Sequence, residues 1–291
     1  MAAGALVLAY FAIRSNARAR RGGHPLFHVS LFRYRLFAAG TGLGFLFQFT
    51  VGGLLFVLPV FLQSALQLNA MSTALVLLPY SLGIFVFALG AARLPATLNA
   101  VRVVQVGLIL MLVGGIWVHQ TAALQLNWSA LLPALFCFGA GAGLTLSRLT
   151  ELTLSQLAVS ELGEGTGGNS TSGELGVAFG VAVLGSVFLL LVYGNFVDAY
   201  GTYHLVEMTE VERNEAIIEL EDWAAQLSDS DWEAYLASLP AKTADAYQAI
   251  VNAAFLHGYR ATLRILIGVI ALMIFVSLIM ARRIDEGEDG A

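Results

Sequence analysis

Residues 36–66 read LFAAGTGLGFLFQFTVGGLLFVLPVFLQSAL, 31 positions without one charged side chain. A hydrocarbon core about 30 Å thick is crossed by about 20 apolar residues in a helix, and only a helix satisfies its own backbone polar groups where water is absent. The stretch therefore predicts a spanning helix. Just before it, Arg14, Arg18, Arg20, Arg21, Arg33 and Arg35 gather six of the chain's fifteen Lys and Arg residues. Basic residues flanking spans stay on the cytoplasmic side, so the chain is expected to leave the cytoplasm after Arg35 and to emerge outside past Leu66.

Working outward, five more segments have the length and polarity of full spans: 70–92, 103–123, 128–147, 174–194 and 261–281. Residues 1–13 read as the end of another, too short to cross alone and lacking the basic start and small-residue cleavage site of a signal peptide. Alternating sides from the first Arg cluster places Arg93, Arg102, Arg148, Arg282 and Arg283 inside as well, which puts eleven of fifteen basic residues on the cytoplasmic side. The fold class expected is an all-α polytopic membrane helix bundle with six full transmembrane helices and a partial N-terminal one. A composition of 58% hydrophobic and 12% charged residues excludes a soluble globule, and the lipid bilayer is the first partner.

The expected organisation is a linking-helix end at 1–13, a cytoplasmic basic loop at 14–35 and five transmembrane helices over 36–194. An external acidic loop at 195–258, the last transmembrane helix at 259–283 and an acidic cytoplasmic tail at 284–291 follow. The external loop holds twelve acids against Arg213 and Lys242, yet keeps apolar residues at helical spacing, with Pro240 breaking one stretch from the next. It reads as two or three amphipathic helices on the mouth of the bundle, or else as a solvated acidic linker.

Within the spans, Gly40 with Gly44, Gly139 with Gly143 and Gly176 with Gly180 form G-x-x-x-G pairs. Lipid supplies no hydrophobic drive between helices, so such pairs work by letting backbones approach and gain dispersion contacts. Pro79, inside the second full span, is expected to kink it, as a gate or as a static bend. No Walker A sequence, paired histidines at metal spacing or G-x-S-x-G elbow is present, and Cys137 is the only cysteine, inside an apolar run. No cofactor, metal, catalytic residue or nucleic-acid partner is expected, and an enzyme is disfavoured.

The stretch Glu164-Gly165-Thr166-Gly167-Gly168-Asn169-Ser170-Thr171-Ser172-Gly173-Glu174-Leu175-Gly176-Val177-Ala178-Phe179-Gly180-Val181-Ala182-Val183-Leu184-Gly185-Ser186 carries a family pattern. It resembles the cytoplasmic loop and penultimate helix of the fourteen-span drug:proton antiporters of the major facilitator superfamily, especially the branch exporting quaternary ammonium and other lipophilic cations. Pro25-Leu26 with Leu31-Phe32-Arg33, Leu77-Leu78-Pro79, and Phe255-x-x-Gly258-Tyr259-Arg260 agree with that branch. The chain departs from it at Gly173, where many relatives have Arg, and in having no acid in the second full span.

The resemblance implies the C-terminal half of a proton-coupled multidrug efflux transporter, in a bacterial inner membrane with its C-terminus cytoplasmic. Substrate in such proteins passes between two halves at a midplane site, so a missing N-terminal half is an expected partner, with lipophilic cations and protons as cargo. The alternative is a non-transporting scaffold whose external domain binds a partner.

Glu174 is the candidate for proton or cation coupling, because a carboxylate at a span edge is costly unless hydrated or paired. It competes with a capping-box reading, Thr171-x-x-Glu174 at the start of the fifth full span. Arg148 and Glu151, three apart on a helix, are candidates for an ion pair at an inner gate. Arg93 and Arg102 bracket an inner loop as gating candidates, or as contacts to anionic lipid. Gln48, mid-span, lines the pathway or bonds a neighbouring helix. Arg264, one turn inside the last span, is expected to snorkel outward.

Overall fold

The computed structural model describes residues 29–94, 99–125, 127–226 and 229–288. After a 3-10 turn at Val29–Arg33 come α1 (Arg35–Ser64), α2 (Ala70–Ala92), α3 (Ala100–Thr121), α4 (Trp128–Leu154) and α5 (Leu162–His204). The order closes with α6 (Glu210–Gln226), α7 (Asp229–Ser238) and α8 (Ala241–Glu288). No strand occurs among the described residues, and six of the helices are long and apolar enough to cross a membrane. The chain is a multi-pass membrane protein. The segment 1–13 and four of the six clustered arginines, Arg14, Arg18, Arg20 and Arg21, lie outside the described residues.

Local chemistry fixes several helix starts. The Asn69 side chain accepts from Ser72 N–H at 2.8 Å to open α2, and that of Asn99 accepts from Val101 N–H at 2.9 Å to open α3. Helices consecutive in sequence are mostly not packing partners: α2 lies along α4 rather than α1 or α3, and α5 along α1 rather than α4.

Two groups of three helices build the bundle. In one, α4 lies between α2 and α3; in the other, α1 packs along α5, and α8 fills the space between α5 and α1. Contacts of α8 with α3 and of α1 with α4 join the groups.

Glycine sets the closeness inside each group. A methyl group at Gly139 or Gly143 would strike the carbonyl of Tyr80 or Ile84 on α2, and one at Gly141 the backbone of Gly107 and Met111 on α3. Gly176 and Gly180 press likewise on the Phe45 and Phe49 carbonyls of α1. Gly40 and Gly44 do not act as one pair. Gly40 abuts Thr153 on α4, whereas Gly44 turns towards Asn169 on α5 with room for a methyl group. The four-residue spacing turns the helix 40° past a full circle, and at a corner between two neighbours that suffices to divide the pair.

Three boundaries differ from expectation. Pairing with α1 and with the small core of Leu31, Phe37 and Leu157 carries α5 back to Leu162, so the glycine-rich stretch before Glu174 is helix rather than loop. At the other side of the membrane α8 starts at Ala241, fusing the end of the acidic segment to the last span. At 43 and 48 residues, α5 and α8 run about 65 and 70 Å, more than twice the hydrocarbon thickness. α4, too, extends past Ser147 to Leu154.

Candidate functional site

Because α5 begins at Leu162, Glu174 lies three turns inside a continuous helix and caps nothing. The hydroxyl of Thr171 instead donates to the Gly167 carbonyl at 2.8 Å. The capping-box reading of Thr171 and Glu174 is therefore corrected: a cap needs free N–H groups at a helix start, and those near Glu174 are used within the helix. The chain has such a box elsewhere. Thr209 N–H and hydroxyl both reach Glu212 Oε2 at 2.8 Å, and Glu212 N–H donates to Thr209 Oγ1 at 3.4 Å, opening α6. Those bonds, the Thr209 N–H first, hold the Glu212 carboxyl below its ordinary value. The T-x-x-E signal was present in the sequence and was hidden among many acids.

Glu174 is exposed, and so are Ser170, Ala178, Ala182, Ser186 and Leu190, each four residues from the next. They make one strip along α5, small or polar over most of its length, that no other described helix covers. On the adjoining face Gly173 and Gly176 pack against the Gln48 side chain of α1. Gln48 is half-buried at the edge of the α1–α5 contact.

At the end of the bundle that carries Arg35, a second constellation is tighter. Arg148 Nη1 donates to Glu151 Oε2 at 2.6 Å, while Nη2 donates to the carbonyls of Ala91 at 2.8 Å and Leu94 at 3.0 Å. The two side chains are 9% and 56% exposed. A guanidinium buried in this way neutralises the free carbonyls and the negative dipole end of α2, and so fastens α2 to α4. The ion pair was legible from the three-residue spacing; the carbonyl partners, far away in sequence, were not. Arg93, the C-cap residue of α2, and Arg102, in the first turn of α3, are both exposed at this same end. α2 passes through Pro79 as a single helix, with Gly83 one turn later lying on the backbone of Phe136 and Ala140.

The opposite end is the acidic one. Arg213 of α6 grips both oxygens of Asp198 on α5, at 2.6 and 2.9 Å, and that carboxylate holds the guanidinium above its ordinary value. Ile217 of the same helix is buried. Among the described residues no group of three or more His, Cys, Asp and Glu could hold a metal ion.

No family model matches the chain. It aligns with proteins of antibiotic transport and resistance. A probable actinorhodin transporter of Streptomyces coelicolor is 29% identical over 192 residues, covering 65% of this chain and 33% of that protein. A tetracycline resistance determinant of Streptomyces rimosus is 27% identical over 199 residues, 68% of this chain and 57% of that one. The multidrug resistance protein Stp of Mycobacterium tuberculosis is 26% identical over 172 residues, 58% and 31%. The matched stretch thus spans from 31% to 57% of each relative's length.

Proposed function

We propose that this chain is the C-terminal half of a proton-coupled multidrug efflux transporter of the major facilitator type, exporting lipophilic cations by alternating access. It would sit in a bacterial inner membrane with the arginine end in the cytoplasm. The observation that carries the reading is the uncovered α5 strip with Glu174 at its arginine end. A carboxylate at the edge of an apolar span is expensive against lipid, which favours a water-lined or protein-covered face there. The relatives' names support a drug as cargo, its cationic character being part of this proposal, and their greater length is in keeping with a second half that faces this one across the pathway.

In this reading Glu174 exchanges a proton for the positive charge of the substrate, and apolar neighbours such as Leu175 and Phe179 hold the substrate body. Gln48 borders the same path from α1. The Arg148 clamp keeps the inner ends of α2 and α4 together as part of an inner gate, with Arg93 at the end of α2 and Arg102 at the start of α3 beside it.

The test is efflux of a fluorescent lipophilic cation from cells making the whole protein, with and without an uncoupler. The expected result is uncoupler-sensitive efflux that Glu174→Gln abolishes while the protein remains in the membrane at normal level. Efflux that stays uncoupler-sensitive and unchanged in Glu174→Gln removes Glu174 from coupling; no efflux from the intact protein with any of a panel of cations removes the export reading.

A further inference from the structure

A second cationic constellation sits at the acidic end of the bundle, between α3 and α8. Arg260 donates from Nε and Nη2 to the carbonyl of Ala122, just past the end of α3, at 3.1 and 2.6 Å. Deeper in, Gly115 packs over Ile267 and Ile270, and deeper still the Gln105 amide donates to the Ser277 carbonyl at 3.3 Å. Each step inward along α3 is matched by an equal step along α8, as two antiparallel helices in steady contact require. The register therefore brings His119 opposite Leu263 and Arg264. Leu263 is buried, and Arg264 is exposed beside it. Both guanidiniums, of Arg260 and Arg264, lie within electrostatic reach of the His119 ring.

Arg264 is seventeen residues from Ala281, about 25 Å along the helix, so it stands where the hydrocarbon core gives way to headgroups. Trp117 and Trp128, both exposed at the same end of the bundle, mark that level as interfacial aromatics do. Among the described residues no carboxylate is paired with Arg264. α1, α2 and α3 contain no Asp or Glu, and the single acid of α4, Glu151, is at the other end. Asp198 is held by Arg213, and the nearest acid along α8, Asp245, is nineteen residues away, about 28 Å. A guanidinium at this depth is matched by an anion that turns two acceptor oxygens to its fork, as the non-bridging oxygens of a lipid phosphate do at the level of the headgroups.

We propose that Arg264 and His119, with Arg260 beside them, bind the phosphate of a phospholipid headgroup in the groove between α3 and α8 at the acidic end of the bundle. Arg260 spends two donors on Ala122 and keeps the groove closed at its mouth. Arg264 has its whole fork free for the ligand, and His119 adds one ring N–H. The site requires only that the chain crosses a bilayer, so it stands apart from the export reading.

Native mass spectrometry of the whole protein, released from detergent with phosphatidylglycerol added, tests this directly. The first phosphatidylglycerol adduct should fall about tenfold in Arg264→Gln, the scale of one lost charge-assisted hydrogen-bond pair. It should be largely kept in Arg264→Lys and reduced less in His119→Gln, with unchanged thermal unfolding in all three. Diacylglycerol, which lacks the phosphate, should give no adduct that depends on Arg264. Equal phosphatidylglycerol retention in Arg264→Gln and the unaltered protein overturns the site. Displacement of the lipid by an excess of inorganic phosphate overturns the assignment to lipid, leaving a pocket for a free anion.

Discussion

α4 and α5 share a spacing of glycines and differ in what lies behind it. In α4, Gly139 and Gly143 meet α2 while Gly141, on the far flank, meets α3, so backbone touches backbone on two sides. In α5, Gly176 and Gly180 meet α1, α8 covers a further side, and the strip of Glu174, Ala178, Ala182 and Ser186 meets nothing described. One helix is a post around which its group is assembled; the other is a wall with one side left for something else. The same motif supports both because it fixes only how near one neighbour comes, not how many neighbours there are.

The sharpest way to break the contrast is to enlarge a glycine that has backbone on it. Gly141→Val should cost about 3 kcal/mol or more, seen as loss of folded protein in size-exclusion and thermal-melt assays, because neither Gly107 nor Met111 backbone can yield to a side chain. If Gly141→Val melts like the unaltered protein, α4 is not the post described. Next comes the clamp. Arg148→Ala should destabilise by about 3 kcal/mol, since it strips the Ala91 and Leu94 carbonyls of their donor at a buried site, whereas Glu151→Ala, at an exposed partner, should cost under about 1 kcal/mol. Equal losses in the two variants would mean that Arg148 stabilises through its ion pair within α4 and not through the carbonyl contact with α2.

On the α5 side the expected sign reverses. Gly163 and Gly167 have nothing within 4 Å of where a methyl group would stand, so each Gly→Ala change there should stabilise the Leu162 end of α5 by about 1 kcal/mol. Slower hydrogen exchange over residues 162–173 is the readout, and unchanged or faster exchange would show that this end is not limited by helix propensity. The smallest effect concerns the acidic end. Glu212, held below its ordinary value by Thr209, stabilises the start of α6 at neutral pH, and that contribution disappears as pH falls through its lowered value. Exchange protection at the first turn of α6 should stay level down to the ordinary carboxylate range and decline below it, and Glu212→Gln should weaken the protection at neutral pH and flatten the profile.

How much could be read beforehand follows from which interactions are local. Span number and polarity come from runs of twenty apolar residues, and the Arg148–Glu151 pair from neighbours one turn apart; both are short-range, and both are in the sequence. The extent of α5 was misread because five glycines from Gly163 to Gly173 argue for a loop, while the contacts of Gly165 with Phe37 and of Gly173 with Gln48 argue for a helix and depend on distant parts of the chain. Of the candidate residues, Glu174 and Gln48 fall on adjoining faces of one helix contact, and Arg93, Arg102 and Arg148 collect at one end. The carbonyls that Arg148 and Arg260 hold were invisible, since every residue presents a carbonyl and only tertiary contact selects which is used.

A single unbroken α5 also has a mechanical meaning. A rod of about 65 Å that pivots near its middle moves each tip by about 6 Å for a tilt of ten degrees, comparable to one full helical turn. Its far tip is tied by Asp198 to Arg213 and its near tip rests on Phe37 and Leu157. A displacement at the level of Glu174 is thus felt simultaneously on both faces of the membrane, without any loop having to relay it.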